Sequence, residues 1–163
     1  MEDKTRRDER FVAAVRENRA AMFRVARAML RSDDDAQEAV AEATARAYAH
    51  LGALRSWDAV RPWLMRIVVN ACHGTLRRRK RECPVEEEQL AAVPARETEE
   101  MGVWAYVERL SATYSVPLTM FYGEDMRLDE IARALRLPRG TVSARLTRGR
   151  QALKRLMEKE ADR

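Results

Sequence analysis

Apolar residues recur along this chain at three- and four-residue steps rather than at every second position, the period of helices with one buried stripe. Over residues 9–31 the stripe is Phe11, Val12, Val15, Met22, Phe23, Ala26, Met29 and Leu30, which predicts a first helix. Ser32-Asp33-Asp34-Asp35 then supplies a capping hydroxyl and carboxylates where a helix start favours negative charge. A metal site is the other reading of that acidic triplet, and the cap explains it more simply. A second helix is predicted over 35–51, with Ala36, Ala39, Val40, Ala43, Ala47, Tyr48 and Leu51 inward and Gln37, Glu38, Glu42 and Arg46 outward. Gly52 is expected to end it. The loop 53–59 leads into a third helix over 60–81, seated by the pairs Trp63 with Ile67 and Leu64 with Val68. Trp63 is read as core on that pairing.

The period disappears over 82–100. Seven acids stand there against the one base Arg96, with Pro84 and Pro94 as punctuation, so the stretch reads as a flexible acidic linker and a domain boundary. Residues 1–8 read as a frayed, charged end. Periodicity resumes with a fourth helix over 101–112, carrying Met101, Trp104, Val107 and Leu110 inward. A fifth is expected to start with Pro117 in its first turn and run to Tyr122. From Leu128 to Met157, Ile131 pairs with Leu135 and Val142 with Leu146 across the breaker-rich Arg136-Leu137-Pro138-Arg139-Gly140, the pattern of a helix-turn-helix. The predicted fold is all-α: two small helical domains, 9–81 and 101–158, joined by the linker 82–100.

Composition agrees, since Ala, Arg, Leu and Glu dominate and only 6 Gly and 5 Pro interrupt 163 residues. Charge adds a partner. The net charge is +5, and its distribution is uneven. Between Ile131 and Met157 stand Arg133, Arg136, Arg139, Arg145, Arg148, Arg150, Lys154 and Arg155 with no acid among them. A solvated helix mixes both signs, so a one-signed field on a helix-turn-helix points to DNA. A second run, Arg77 to Arg81, closes the third helix with five cations. Helix-end electrostatics explains one or two of these, and the rest suggest phosphates. Cys72 and Cys83 form no disulfide framework, and Cys72 beside His73 lacks the second Cys/His cluster a zinc site needs. No stretch reaches the roughly 20 apolar residues of a membrane span, and the charged N-terminus lacks a signal-peptide core. A cytoplasmic location is expected, with no direct membrane insertion. No nucleophile–base pair, phosphate loop or metal cluster appears, so neither catalysis, a cofactor nor a small-molecule substrate is expected.

Two motifs in this order resemble the extracytoplasmic-function sigma factors, the smallest class of bacterial RNA polymerase sigma subunits. The first is Trp63-Leu64, Ile67 and Asn70 followed by the Arg77–Arg81 run. The second is Asp129-Glu130-Ile131-Ala132 followed by Gly140-Thr141-Val142-Ser143, Arg145-Leu146 and Arg148-Gly149-Arg150. The resemblance covers about 18–156. The chain departs from the family pattern at Ala41 and Thr44, where glutamine and phenylalanine are usual, and at Arg127 and Pro138, where capping serines are usual.

The resemblance implies that the N-terminal domain binds polymerase core and opens the −10 promoter element, that the C-terminal domain reads the −35 element, and that an anti-sigma factor holds the protein inactive. Glu38, Glu42 and Arg46 match the polymerase-contact pattern. The −35 candidates are the outward residues of the last helix: Ser143 and Arg148 for base edges or adjacent phosphates, Arg139 and Thr141 for backbone positioning, with Ala144 and Thr147 at contact positions. Arg145 and Arg150 are equally open to pairing within the domain. For the −10 strand, Ser56 and Trp57 lie in the candidate base pocket, and Arg61, Arg66, Asn70, His73, Arg77, Arg78 and Lys80 are candidates to grip the backbone. Asn70 could equally bridge helices. The runner-up reading is a stand-alone helix-turn-helix regulator of duplex DNA, which would leave Trp63 to Arg81 without a task.

Overall fold

The computed structural model describes residues 3–82 and 102–162. Among them run seven α-helices: α1 (Lys4–Leu30), α2 (Asp33–Ala49), α3 (Val60–Glu82), α4 (Gly102–Glu108), α5 (Ala112–Leu118), α6 (Leu128–Leu135) and α7 (Arg139–Ala161). Short 3-10 turns at Leu51–Ala53 and Trp57–Ala59 precede α3, and a π turn, Thr119–Gly123, follows α5. No strand occurs among the described residues, so the fold is all-α as expected. The chain divides into two compact units, Met1–Arg77 and Arg78–Arg163, with the division inside α3. The expected linker 82–100 and Cys83 lie outside the described residues, apart from Glu82, which closes α3.

In the first unit α1 starts at Lys4, a full turn before the expected 9. The Arg7 amide bonds the Asp3 carbonyl at 2.9 Å, and the charged residues that follow need no burial to stay helical. The buried face of α1 is Phe11, Ala14, Asn18, Ala21, Met22, Val25, Ala26, Met29 and Leu30. Val12 is 47% exposed, against the expectation that it faces inward. Arg31 ends the helix in the left-handed region at φ 55°, its amide bonded to Arg27 O. Ser32 caps α2 as expected, its Oγ accepting from the Asp35 amide at 3.3 Å. Asp33 pairs with Arg27 Nε at 2.7 Å, which ties the two helices at their turn.

Ala36, Ala39, Ala43 and Ala47 are each no more than 1% exposed. Small side chains let α2 approach α1 closely. Tyr48, expected on that inner face, is 48% exposed and meets only the rim, its ring 5.5 Å from that of Phe11. Gly52 does not end α2. His50 is the capping residue, and the chain tightens directly into a 3-10 turn through Ala53 N–H to His50 O at 2.9 Å, so no left-handed glycine is required. In α3 the core is carried by Leu64, Met65, Val68, Val69, Ala71 and Cys72. Trp63 and Ile67, read as a core pair, are half-buried. They sit at the margin of a stripe centred one residue further on.

In the second unit α5 and α6 both pack on α7. Gly149 marks a close approach of α7 to α5: a Cβ there would lie 3.1 Å from Leu118 Cδ1 and 3.3 Å from Tyr114 Cβ. Pro117 sits in the last turn of α5, not in the first turn as the sequence suggests. Its missing amide would have bonded the carbonyl of Thr113, an exposed residue at the start of the helix. The backbone then widens into the π turn, with the Glu124 amide reaching back to Thr119 O at 3.1 Å. Helix α4 ends at Glu108, short of the expected 112, with Leu110 buried just beyond it.

The helix-turn-helix forms where expected. Ile131, Val142 and Leu146 are buried at its centre. Arg136 turns the chain at φ 56°, and Leu137 N–H bonds Ala132 O at 3.0 Å. Pro138 occupies the N-cap of α7, its carbonyl accepting from Thr141 and Val142. Arg127, at the N-cap of α6, has no side-chain acceptor to offer. Glu130 supplies the reciprocal half of a capping box instead, its Oε1 accepting from the Arg127 amide at 3.0 Å.

Candidate nucleic-acid interface

Burial of Val142, Leu146 and Gly149 fixes which side of α7 faces outward. Arg139, Ser143, Thr147 and Arg148 are exposed, while Thr141, Ala144 and Arg145 are half-buried at the edges. Arg139, Ser143 and Thr147 stand four apart and form one row, with Ala144 and Arg148 forming the next. The structure therefore brings Arg139, Ser143, Ala144, Thr147 and Arg148 to one outer face of α7 and leaves half-buried Thr141 at its far edge, in neither row. Within that face the Thr147 hydroxyl donates to Ser143 O at 3.1 Å and accepts from Arg150 at 3.3 Å. Arg150 also donates to the Tyr122 hydroxyl at 3.0 Å. Of the two alternatives left open for Arg150, the structure shows the intradomain one.

On α3, Arg66, Asn70, His73, Arg77 and Lys80 follow one another at steps of four and three, so they share one face, away from buried Leu64, Val68 and Cys72. Arg66, Arg77 and Lys80 are exposed, while Asn70 and His73 are half-buried. Arg78 is exposed but lies off this stripe. Arg61 is not brought to it. It stands three and four positions from buried Leu64 and Met65, and its Nη1 donates to Asn18 Oδ1 at 3.1 Å. Asn18 is 4% exposed and donates from Nδ2 to Ala14 O at 2.8 Å, so both ends of a buried amide are satisfied.

Ser56 caps the turn before α3, its Oγ accepting from the Asp58 amide at 3.3 Å. Half-buried Trp57 begins that turn. The Arg10 guanidinium lies over its ring, 4.8 Å from the centroid. Sequence reasoning missed Arg10 and Asn18. Asn18 carried a signal, a polar residue at the helical step of a buried stripe. Arg10 carried none, because its partner lies in a loop whose path the sequence does not give.

On α2, Glu38, Glu42 and Arg46 stand four apart, opposite the buried alanines. Glu42 and Arg46 form an ion pair. Both side chains remain partly in water, so the pair adds little stability, and this face presents charge of both signs. Among the described residues no helix is long and apolar enough to cross a membrane.

Residues 14–82 match sigma-70 region 2, and residues 101–153 match sigma-70 region 4. The chain is 32% identical over 145 residues to the ECF RNA polymerase sigma factor SigM of Mycobacterium tuberculosis, across 87% of this chain and 74% of that one. It is 26% identical to the ECF RNA polymerase sigma factor SigM of Bacillus subtilis, across 83% and 87%. The fold is similar to that of the sigma factor RpoE of Bartonella quintana, solved in complex with the anti-sigma factor NepR. That likeness has a TM-score of 0.77 at 19% identity and covers 91% of this chain and 96% of that chain.

Proposed function

This chain belongs to the extracytoplasmic-function group of RNA polymerase sigma factors, and we propose that its two helical units divide promoter recognition between them. It directs polymerase core to specific promoters. In this reading residues 101–158 dock α7 in the major groove of the −35 element, residues 9–81 hold polymerase core and the opened −10 strand, and 82–100 joins them. The stand-alone regulator accounts for the second unit only, while the family match spans both.

The observation that carries the −35 assignment is the outer face of α7, where arginines flank small residues directly opposite the buried contacts of a helix-turn-helix. Arg148 and Ser143 reach base edges or adjacent phosphates, and Arg139 and Thr141 set the docking register on the backbone. The Thr147 hydroxyl is committed within its own helix, so Thr147 contributes through its methyl, the group suited to a thymine methyl. Ala144 contributes only surface, which leaves room for readout through DNA shape.

On the −10 side, Trp57 offers a stacking surface to a base that has left the duplex. Arg66, Asn70, His73, Arg77 and Lys80 form a track for the strand backbone along α3, with Arg78 beside it. Glu38, Glu42 and Arg46 meet polymerase core. Sigma factors are in general non-enzymatic initiation factors, and in this reading the polymerase performs all the chemistry. The protein acts in the cytoplasm, where polymerase is, and an anti-sigma factor restrains it.

The test is transcription in vitro by purified core polymerase with this chain on a promoter library. Discrete starts that depend on the chain and share −10 and −35 sequences are expected. Transcripts without a common start would overturn the reading.

A further inference from the structure

Arg10, Ala14 and Asn18 stand four apart on α1 and form one ridge. Trp57 and Arg61 are likewise four apart, across the turn that starts α3. The ridge holds both. Arg10 lies over the Trp57 ring at 4.8 Å, and Asn18, braced on Ala14 O at 2.8 Å, accepts from Arg61 at 3.1 Å.

We propose that this ridge of α1 is a positioning device for promoter melting, fixing the Trp57 turn in the orientation that receives an unstacked base. The inference rests on the reading of Trp57 as a −10 contact. Arg10 and Asn18 are then positioning residues, and Arg61 joins them as the anchor of the turn rather than a grip on the strand. The physical reason is entropic. Trp57 is only half-buried in a three-residue 3-10 turn, so core packing alone does not fix its ring. A cation over one face and a buried amide holding the next helical turn restrict it before DNA arrives, which lowers the ordering cost at the moment of binding. Asn18 suits this task. Its amide has an acceptor for a guanidinium and a donor for a carbonyl, so it links Arg61 to the α1 backbone without placing an unpaired charge in the core.

The test uses the full chain assembled with polymerase core on a promoter duplex selected by the library transcription. Arg10→Ala, Arg10→Lys, Trp57→Ala and the double variant Arg10→Ala/Trp57→Ala are compared. Open-complex formation is followed by permanganate reactivity of −10 thymines, alongside core affinity and thermal unfolding. Arg10 is exposed, so its variants are expected to fold, which the thermal unfolding checks. Arg10→Ala is expected to slow opening about two- to fivefold, the worth of an exposed cation–π contact, with core affinity and unfolding unchanged. Arg10→Lys should restore part of the rate. In the Trp57→Ala background, Arg10→Ala should have no further effect. An equal slowing in both backgrounds would make Arg10 an independent phosphate contact and overturn the proposal. So would no slowing by Arg10→Ala when Trp57→Ala alone is defective. If Trp57→Ala opens normally, the reading beneath the proposal fails, and that result is visible in the single variant. As a second arm, Asn18→Ala and Arg61→Ala are combined at a temperature where all variants are folded. Opening defects that do not multiply support the shared device, and defects that multiply refute it.

Discussion

The Tyr122 hydroxyl accepts a hydrogen bond from the Arg150 guanidinium at 3.0 Å, which fastens the π turn to α7. Arg150 spends a second donor on Thr147 at 3.3 Å, so this arginine serves its own domain. Arg148, two residues earlier, is exposed on the outer face. Two cations so close in sequence should therefore fail differently. Arg148→Ala is expected to weaken holoenzyme binding to a −35 duplex and to lower the slope of log affinity against log salt by about one. Arg150→Ala is expected to keep that slope and to lower the stability of the second unit by about 1 kcal/mol, the net worth of a hydrogen bond. Salt titrations and thermal unfolding of the two variants check both halves.

Gly149 is required by contact rather than by backbone conformation, since it lies inside α7 where the helix crosses α5. The nearest neighbours of an added Cβ are Leu118 Cδ1 at 3.1 Å and Cγ at 3.3 Å. Leu118 is 2% exposed and has little space into which to retreat. Gly149→Val is expected to destabilise the second unit by about 1–3 kcal/mol through overpacking. The unfolding midpoint in urea reads this directly. An unchanged midpoint would show that α5 can slide.

Ser115 presents the opposite case. Its Oγ is buried with no hydrogen-bond partner among the described residues, while its carbonyl accepts from Thr119 Oγ1 at 2.7 Å. A buried hydroxyl left unpaired costs about 1–3 kcal/mol. Ser115→Ala removes the unpaired group, leaves the carbonyl bond intact and suits a helix better. It is expected to raise the unfolding temperature. A fall would mean that the hydroxyl finds a partner such as a buried water.

The helices and the helix-turn-helix could be read from residue spacing because each carries several apolar residues at three- and four-residue steps. Spacing gives the direction of a buried face but not its width. Tyr48 and Val12 fell inside the predicted stripes and are about half exposed. Trp63 was drawn into the core by its pairing with Ile67, and both sit at the margin of a stripe centred one residue further on. Pro117 looked like a helix start, and the sequence does not show that α5 begins earlier, at Ala112, which puts the proline in its last turn. In the candidate sites, the α7 face was legible because buried and outward residues alternate regularly. The division of the α3 candidates was not. Arg61 turns toward Asn18, a contact 43 positions apart that no local pattern encodes.

Trp57 tests the melting role most directly. Base stacking on an aromatic ring is worth about 1–3 kcal/mol, so its loss should slow or abolish strand opening while leaving the −35 contact untouched. Trp57→Ala is expected to retain holoenzyme binding to a −35 duplex and to lose permanganate reactivity at the −10 thymines. Trp57→Phe, which keeps a smaller ring, should recover part of it. Normal melting by Trp57→Ala would remove this residue from the pocket.

Glu130 decides whether α6 keeps its first turn. The usual capping hydroxyl is replaced by Arg127, so the reciprocal bond from the Arg127 amide to Glu130 Oε1 at 3.0 Å is the cap that remains. The Arg127 guanidinium adds an ion pair with the same carboxylate at 3.3 Å. Arg127 is largely in water, so the pair itself contributes little. The carboxylate also lies at the positive end of the α6 dipole. Glu130→Gln keeps an acceptor for the amide and loses the charge, and Glu130→Ala loses both. The expected order of unfolding temperature is wild type, then Gln, then Ala, with Ala lower by about 1 kcal/mol in stability. Affinity for the −35 duplex should fall in the same order, because α6 packs on α7 and fraying of α6 loosens Ile131, which is buried as Val142 and Leu146 are. Equal stability of the Gln and Ala variants would assign the effect to charge alone and leave α6 without a working cap.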